Sequence, residues 1–113
     1  MKYIKTLNEK YLSDFQNKIR QGFGVELELY DHGDWLQLDK IVVTKSNRNE
    51  GEGTKAMQEI CEYADSIGKD IRLTPDDSFG ASSVNRLKRF YKRFDFIKNN
   101  DNKYKDSMVR YAK

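Results

Sequence analysis

Between Thr44 and Gly53 the chain runs for ten residues, TKSNRNEGEG, without one apolar side chain. Such a run has nothing to bury, so it reads as a surface loop. Its flanks define the rest. Before it, Ile41-Val42-Val43 reads as the end of a buried strand. After it, Ala56, Met57, Ile60, Cys61, Ala64 and Ile67 recur at i, i+3, i+4 spacing until Gly68, the stripe of a helix that starts near Thr54. Ile71 to Thr74 follows as a short strand ended by Pro75. A strand, a helix and a second strand joined in this way predict a right-handed crossover between parallel neighbours. All-helical and all-strand folds are excluded.

The remaining segments fit around that unit. Thr6 and Glu9 form a capping box, and Leu7, Tyr11, Leu12, Phe15 and Ile19 predict an amphipathic helix from Leu7 to Arg20, stopped by Gly22 and Gly24. Val25, Leu27 and Leu29 alternate with Glu26, Glu28 and Tyr30 as a half-buried strand does. A turn at Asp31–Asp34 leads into a second strand, Trp35 to Val43, making an antiparallel hairpin. Its alternation slips near Asp39-Lys40, the mark of a β-bulge. Beyond the polar loop from Asp76 to Ser83, a third helix runs to Phe94. Phe96 opens a strand, Asn99 to Lys103 is a turn, and Ser107 to Tyr111 is a final strand. The fold class is mixed α/β: helix, hairpin, helix, strand, helix, two strands.

At 113 residues this is one domain, spanning 1–113. Apolar residues make up 37%, and 7 Tyr, 6 Phe and 1 Trp supply much of the core. Charges of 21 Lys+Arg against 18 Asp+Glu leave +3. That surplus is small for a nucleic-acid module but suits a local anionic ligand. No run of about 18 apolar residues and no secretory h-region at the start predict a soluble, cytoplasmic protein with no membrane partner. One cysteine, Cys61, forms no intrachain disulfide, and it reads as a small buried hydrophobe in its stripe. His32, the single histidine, leaves no basis for a zinc centre or a histidine-based nucleophile triad.

The chemistry concentrates at Arg48-Asn49-Glu50-Gly51-Glu52-Gly53. Glycines entering a helix leave main-chain N–H groups bare where the helix dipole adds about half a positive charge, a place for phosphate or pyrophosphate. Arg48 adds a cation. The spacing is neither a P-loop nor a Rossmann fingerprint, and by itself it is equally a glycine-rich turn.

Two motifs together carry a resemblance. Val43 … Arg48-x-x-Gly51-x-Gly53 resembles the acyl-CoA signature of the GNAT acetyltransferase superfamily. Asn85 to Phe96, with Tyr91 and Phe96, resembles the family's Asn … Tyr-x-x-x-Gly-Phe block, except that Asp95 stands where Gly is usual. The resemblance runs from about Leu36 to the C-terminus. It implies a splayed, mostly antiparallel twisted sheet and acetyl-CoA as cofactor, with CoA as product. It also implies transfer to a primary amine, either a protein lysine, an N-terminus or a small amine. Ile41, Val42 and Val43 would offer backbone groups to the pantetheine arm and the acetyl carbonyl. Arg48, Asn49, Gly51, Glu52, Gly53 and Thr54 would bind the pyrophosphate, and Asn85 the pantetheine side. Tyr91 would act as general acid toward the thiolate. Asp39, four residues before Val43, occupies the position of the family's general base, with Glu26 and Glu28 as rivals.

Each assignment has an ordinary counterpart. Tyr91 also lies on an apolar stripe, as a core aromatic would. Asp39 is equally a surface carboxylate. Trp35 either lines an acceptor cleft or, as its setting favours, packs on the first helix. Arg86, Lys88, Arg89, Lys92 and Arg93 read as a solvated face, with the 3'-phosphate of CoA or an acidic partner as the alternative. The short N-terminal part implies an open acceptor cleft, or one completed by a second subunit, so the chain is a monomer or a homodimer. The alternative functions are a CoA-binding GNAT-like module without turnover and a small basic interaction protein.

Overall fold

The computed structural model describes residues 2–43, 51–76 and 83–113, with side chains from Tyr11 onward. Helix α1 (Lys2–Phe23) begins five residues before the expected Leu7 and is followed by Gly24 at φ 61. The side chains of the Thr6–Glu9 box lie outside the described residues. Strands β1 (Val25–Asp31) and β2 (Trp35–Val43) form the hairpin. Helix α2 (Glu52–Ser66), strand β3 (Asp70–Leu73), helix α3 (Val84–Lys92) and strands β4 (Ile97–Lys98) and β5 (Met108–Arg110) complete the order. The strands make one sheet, β1-β2-β3-β5-β4, with β2 and β3 parallel and the other pairs antiparallel. The mixed α/β class read from the sequence is the one observed.

Alpha-helix α1 is tied to β1 by polar side chains as well as by packing. Leu29 N–H donates to Gln16 Oε1 at 2.8 Å, and Arg20 Nε and Nη2 donate to Leu27 O at 3.0 and 2.6 Å. These bonds occupy backbone groups on a sheet edge that would otherwise be open to another strand.

The slip in the β2 pattern is a real irregularity. Glu28 pairs with Lys40 but Leu29 pairs with Leu38, so Asp39 is the extra residue. Side chains alternate with period two, and the insertion restores phase. Leu36 and Leu38 before it, and Ile41 and Val43 after it, therefore belong to one hydrophobic cluster. That cluster also takes in Val25, Leu27, Leu29, Ile71, Leu73 and Met108 from the sheet, Ile19 from α1 and Met57, Ile60 and Ala64 from α2. Cys61 belongs to it too, and burial pushes its thiol up to about 11.

The β2–β3 ladder is short. It runs from Trp35↔Asp70 to Gln37↔Arg72, while β2 continues to Val43 along β1. Beyond Gln37 and Arg72 the β2–β3 pairing stops, one residue before β3 ends at Leu73, so the ladder is open, or forked, at its C-terminal end. Ligands of open α/β sheets bind at such places, outside the carboxyl ends of the strands.

Further element bounds differ from expectation: α1 runs through Gly22 to Phe23 and stops at Gly24, β3 lies one residue earlier than Ile71–Thr74, and β5 is shorter than Ser107–Tyr111 at both ends. Helix α2 starts at Glu52, two residues before Thr54, because Gly51 in the left-handed region (φ 74) serves as its N-cap. Gly53 is thus in the first turn and not in the loop. Helix α3 ends at Lys92, not Phe94, and the next strand begins at Ile97, after Phe96. Ser83 caps α3, its Oγ accepting from Arg86 N–H at 3.1 Å.

Candidate functional site

Among the described residues, no side chain caps the start of α2, which is a cluster of backbone donors. Gly51 provides no side-chain cap, and the first backbone bond of the helix is Lys55 N–H to Gly51 O at 3.1 Å. The N–H groups of Glu52, Gly53 and Thr54 consequently have no acceptor within the helix. Glu52 turns its carboxylate to Lys55 Nζ at 3.2 Å. A Cβ added to Gly53 would stand 3.1 Å from Val43 Cγ2 and 3.9 Å from Phe90 Cζ. The first turn of α2, the end of β2 and α3 therefore converge at Gly53, where only a hydrogen fits comfortably. Ile41, Val42 and Val43 are half-buried on the part of β2 that lies beyond the fork. Arg48 and Asn49 lie outside the described residues.

Tyr91 comes to this region on α3. It is 7% exposed, edge-on to Phe90 and Phe96 at centroid distances of 5.4 and 5.6 Å. Burial pushes its phenol up to about 12, so it stays protonated at neutral pH. The hydroxyl has no hydrogen-bond partner among the described residues. It is not sealed off either, since among those residues only Arg72 Nε is both buried and unpartnered.

The helix end aims the Tyr91 ring. Phe96 N–H bonds to Tyr91 O at 3.4 Å and Asp95 N–H to Lys92 O at 3.2 Å, with Asp95 at φ 69. These are the paired bonds of a Schellman motif, and Tyr91 and Phe96 form its accompanying apolar contact. Asp95 thus adopts the left-handed conformation for which the family pattern has Gly, as a short polar residue can. Its carboxylate is held by Lys113 Nζ, which keeps it below the ordinary aspartate range.

The other sequence candidates are distributed around the fork. Asp39 is exposed at the bulge, two residues along β2 from Gln37. Of its rivals, Glu26 is engaged by Lys40 at 3.4 Å, and Glu28 is half-buried opposite Lys40 in the β1–β2 register. Asn85 is exposed in the first turn of α3, and Thr54 is half-buried in that of α2.

Trp35 does not pack on α1. It alternates with the core residue Leu36 and so projects from the opposite face of the sheet, stacked on His32 at 4.2 Å and edge-on to Tyr104 at 5.4 Å. Arg72 joins them there. It is 4% exposed, its guanidinium carbon lies 3.4 Å from the Tyr104 ring centroid and 5.9 Å from that of Trp35, and Nη1 donates to Asn99 Oδ1 at 3.1 Å. The sequence reading passed over Arg72. A charged residue between Ile71 and Leu73 in a short inner strand was the available signal.

No helix among the described residues is long and apolar enough to cross a membrane. No family model and no curated protein matches the chain. Solved structures that resemble it in fold include the following two. The anti-CRISPR protein AcrVA5 superposes at TM-score 0.64 with 21% identity, over 76% of this chain and 88% of that one. Ard1 from Thermoplasma volcanium superposes at TM-score 0.55 with 15% identity, over 79% of this chain and 63% of that one. The fold is GNAT-like.

Proposed function

We propose that the protein is an acetyl-CoA-dependent N-acetyltransferase that transfers an acetyl group to a primary amine. The observation that carries this reading is the convergence at Gly53: an uncapped helix N-terminus, the end of a parted strand and the helix that bears Tyr91. An anionic cofactor with a pyrophosphate suits the bare N–H groups of Glu52, Gly53 and Thr54. Arg48 and Asn49 would join them from the loop, and Asn85 would reach the pantetheine side. The GNAT-like fold of the chain supports the same reading.

Acetyl-CoA, when bound, supplies an acetyl group activated as a thioester. The chain's part is to position and to handle protons. Backbone groups of Ile41, Val42 and Val43 align the reacting carbonyl and stabilise charge that develops on its oxygen. Asp39, exposed beside the fork, takes the proton of the attacking amine directly or through a water. Tyr91 would face the leaving sulfur. An ordinary thiol ionises near pH 8.5, whereas the buried phenol holds its proton to about 12. Tyr91 would therefore act chiefly as a hydrogen-bond donor to the departing thiolate, leaving most of the protonation to solvent.

Thermal unfolding with acetyl-CoA, CoA and ATP at matched ionic strength tests the cofactor. Ligand at about a hundred times its Kd adds about 2.7 kcal/mol, a shift of roughly 10 °C for a domain of this size. Shifts with acetyl-CoA and CoA but not ATP are expected, and no shift with any would sink the proposal. Tyr91→Phe separates an enzyme from a binding module: transfer falls about 100-fold while the acetyl-CoA shift remains.

A further inference from the structure

Among the described residues, Arg72 is a buried cation with no anion paired to it. No described carboxylate lies within ion-pair distance of it, its Nε is closed off from solvent without a hydrogen bond, and Nη2 has no partner among the described residues. Burying an unpaired charge is costly, and an orphaned buried donor calls for a physical reason. Its surroundings are nonetheless well built. Tyr104 stacks on the guanidinium, and Asn99, which receives Nη1, is itself pinned by donating Nδ2 to the carbonyls of Asp101, Tyr104 and Asp106 at 3.2, 3.4 and 2.8 Å. One edge of the guanidinium is thereby fixed. The other edge, Nε with Nη2, is one that can grip a carboxylate through two parallel bonds.

Position adds a second observation. Arg72 with Gln37 is the last pair of the β2–β3 ladder, so the cation stands where the strands part. It projects from the face opposite the core that α1 and α2 cover. The bare N–H groups of α2 belong to the helix-covered side, so a cofactor held there leaves the other face of the fork for the amine.

We infer that Arg72 reads a carboxylate on the amine acceptor, close to the nucleophilic nitrogen. This deepens the transferase reading and rests on it. The carboxylate first meets Nη2 and completes the pair at Nε as neighbouring side chains give way. Trp35 and Tyr104 wall the site and hold the guanidinium plane. Arg72 is a specificity residue, and the acceptor class is an amine that carries an acidic group. That group belongs either to a small amino acid or to an acidic residue beside a peptide lysine.

Trp35 is the single tryptophan of the chain, so its emission reports on this site without turnover. The full chain is titrated with glutarate and, at matched ionic strength, with glutaramide. A saturable change in Trp35 emission is expected with glutarate only. It is lost in Arg72→Met and weakened about ten-fold in Arg72→Lys, which keeps the charge but not the fork. Arg72→Met keeps or raises the unfolding temperature, which a structural role for the ion would not allow. Transfer is then compared for γ-aminobutyrate and its amide, and for a lysine peptide flanked by glutamates or by glutamines. The carboxylate form is preferred about ten-fold in kcat/KM in at least one pair, which identifies the source, and Arg72→Met brings that ratio toward one. Emission that ignores glutarate, or a preference that survives in Arg72→Met, overturns the inference. A glutarate response without transfer to any amine supports the carboxylate site and overturns the transferase reading instead.

Discussion

Two arginines on neighbouring strands are buried to the same degree, Arg72 at 4% and Arg110 at 5% exposure, and the chain treats them oppositely. Arg110 in β5 faces the helix-covered side. Nη1 and Nη2 bond the two oxygens of Asp65 in α2 at 2.8 and 3.0 Å, and Nε bonds Phe94 O at 3.0 Å. Arg72 in β3 faces the other side with one neutral amide, an aromatic ring and an unused edge. One cation is consumed in joining α2 and the end of α3 to the sheet. The other is pre-positioned and unspent, so burial alone says nothing of role, and the inventory of partners decides it.

The largest test breaks the satisfied arginine. Asp65→Asn leaves Arg110 buried without its counter-ion and is expected to cost about 3 kcal/mol, read by urea unfolding. The pH profile sharpens the same contrast. The hydrogen bonds from Arg110 hold the Asp65 carboxyl below the ordinary aspartate range. Its contribution is present in full above about pH 4, where the unfolded carboxyl is ionised, and is lost as pH falls through the lower folded value. Acid unfolding curves of wild type and Asp65→Asn should therefore converge below pH 4, whereas Arg72→Met, with no carboxylate to release, keeps the wild-type shape. At neutral pH, Arg72→Met stabilises by about 1 kcal/mol, the relief of an unpaired buried charge exceeding the lost stacking on Tyr104. The smallest effect belongs to Asp95, at the helix end that Arg110 buttresses. Asp95→Gly relaxes the left-handed backbone and is expected to raise the unfolding temperature slightly, and the β-branched Asp95→Val to lower it.

Much of the architecture was legible because it is written in local periods. The alternation of β1, the stripe of α2 and the slip at Asp39 each concern residues within a few positions of one another. Gly51 and Gly53 were legible as a cluster, but not in their separate uses: one for a left-handed cap that moves the helix start to Glu52, the other for contact with Val43. The second face of the sheet was not legible. Arg72 meets Asn99 across 27 residues, and only strand order brings the Asn99–Ser107 segment over β3. Trp35 is a different case: its face was readable from the alternation with Leu36 and Leu38, and only its partners His32 and Tyr104 depend on the tertiary fold. Within the candidate site, Tyr91 was placed by its motif, while its burial against Phe96 comes from the Schellman geometry.

That geometry fixes Tyr91 from downstream. The ring is held by Phe96 and Asp95, and these in turn by the contacts of Lys113 and Arg110 beyond α3. Arg110 also grips Asp65 of α2, so a single side chain of the last strand ties the helix end that carries Tyr91 to the neighbouring helix. The short strand β5 thus acts as a set-screw: a change at Arg110 would turn the phenol without touching it.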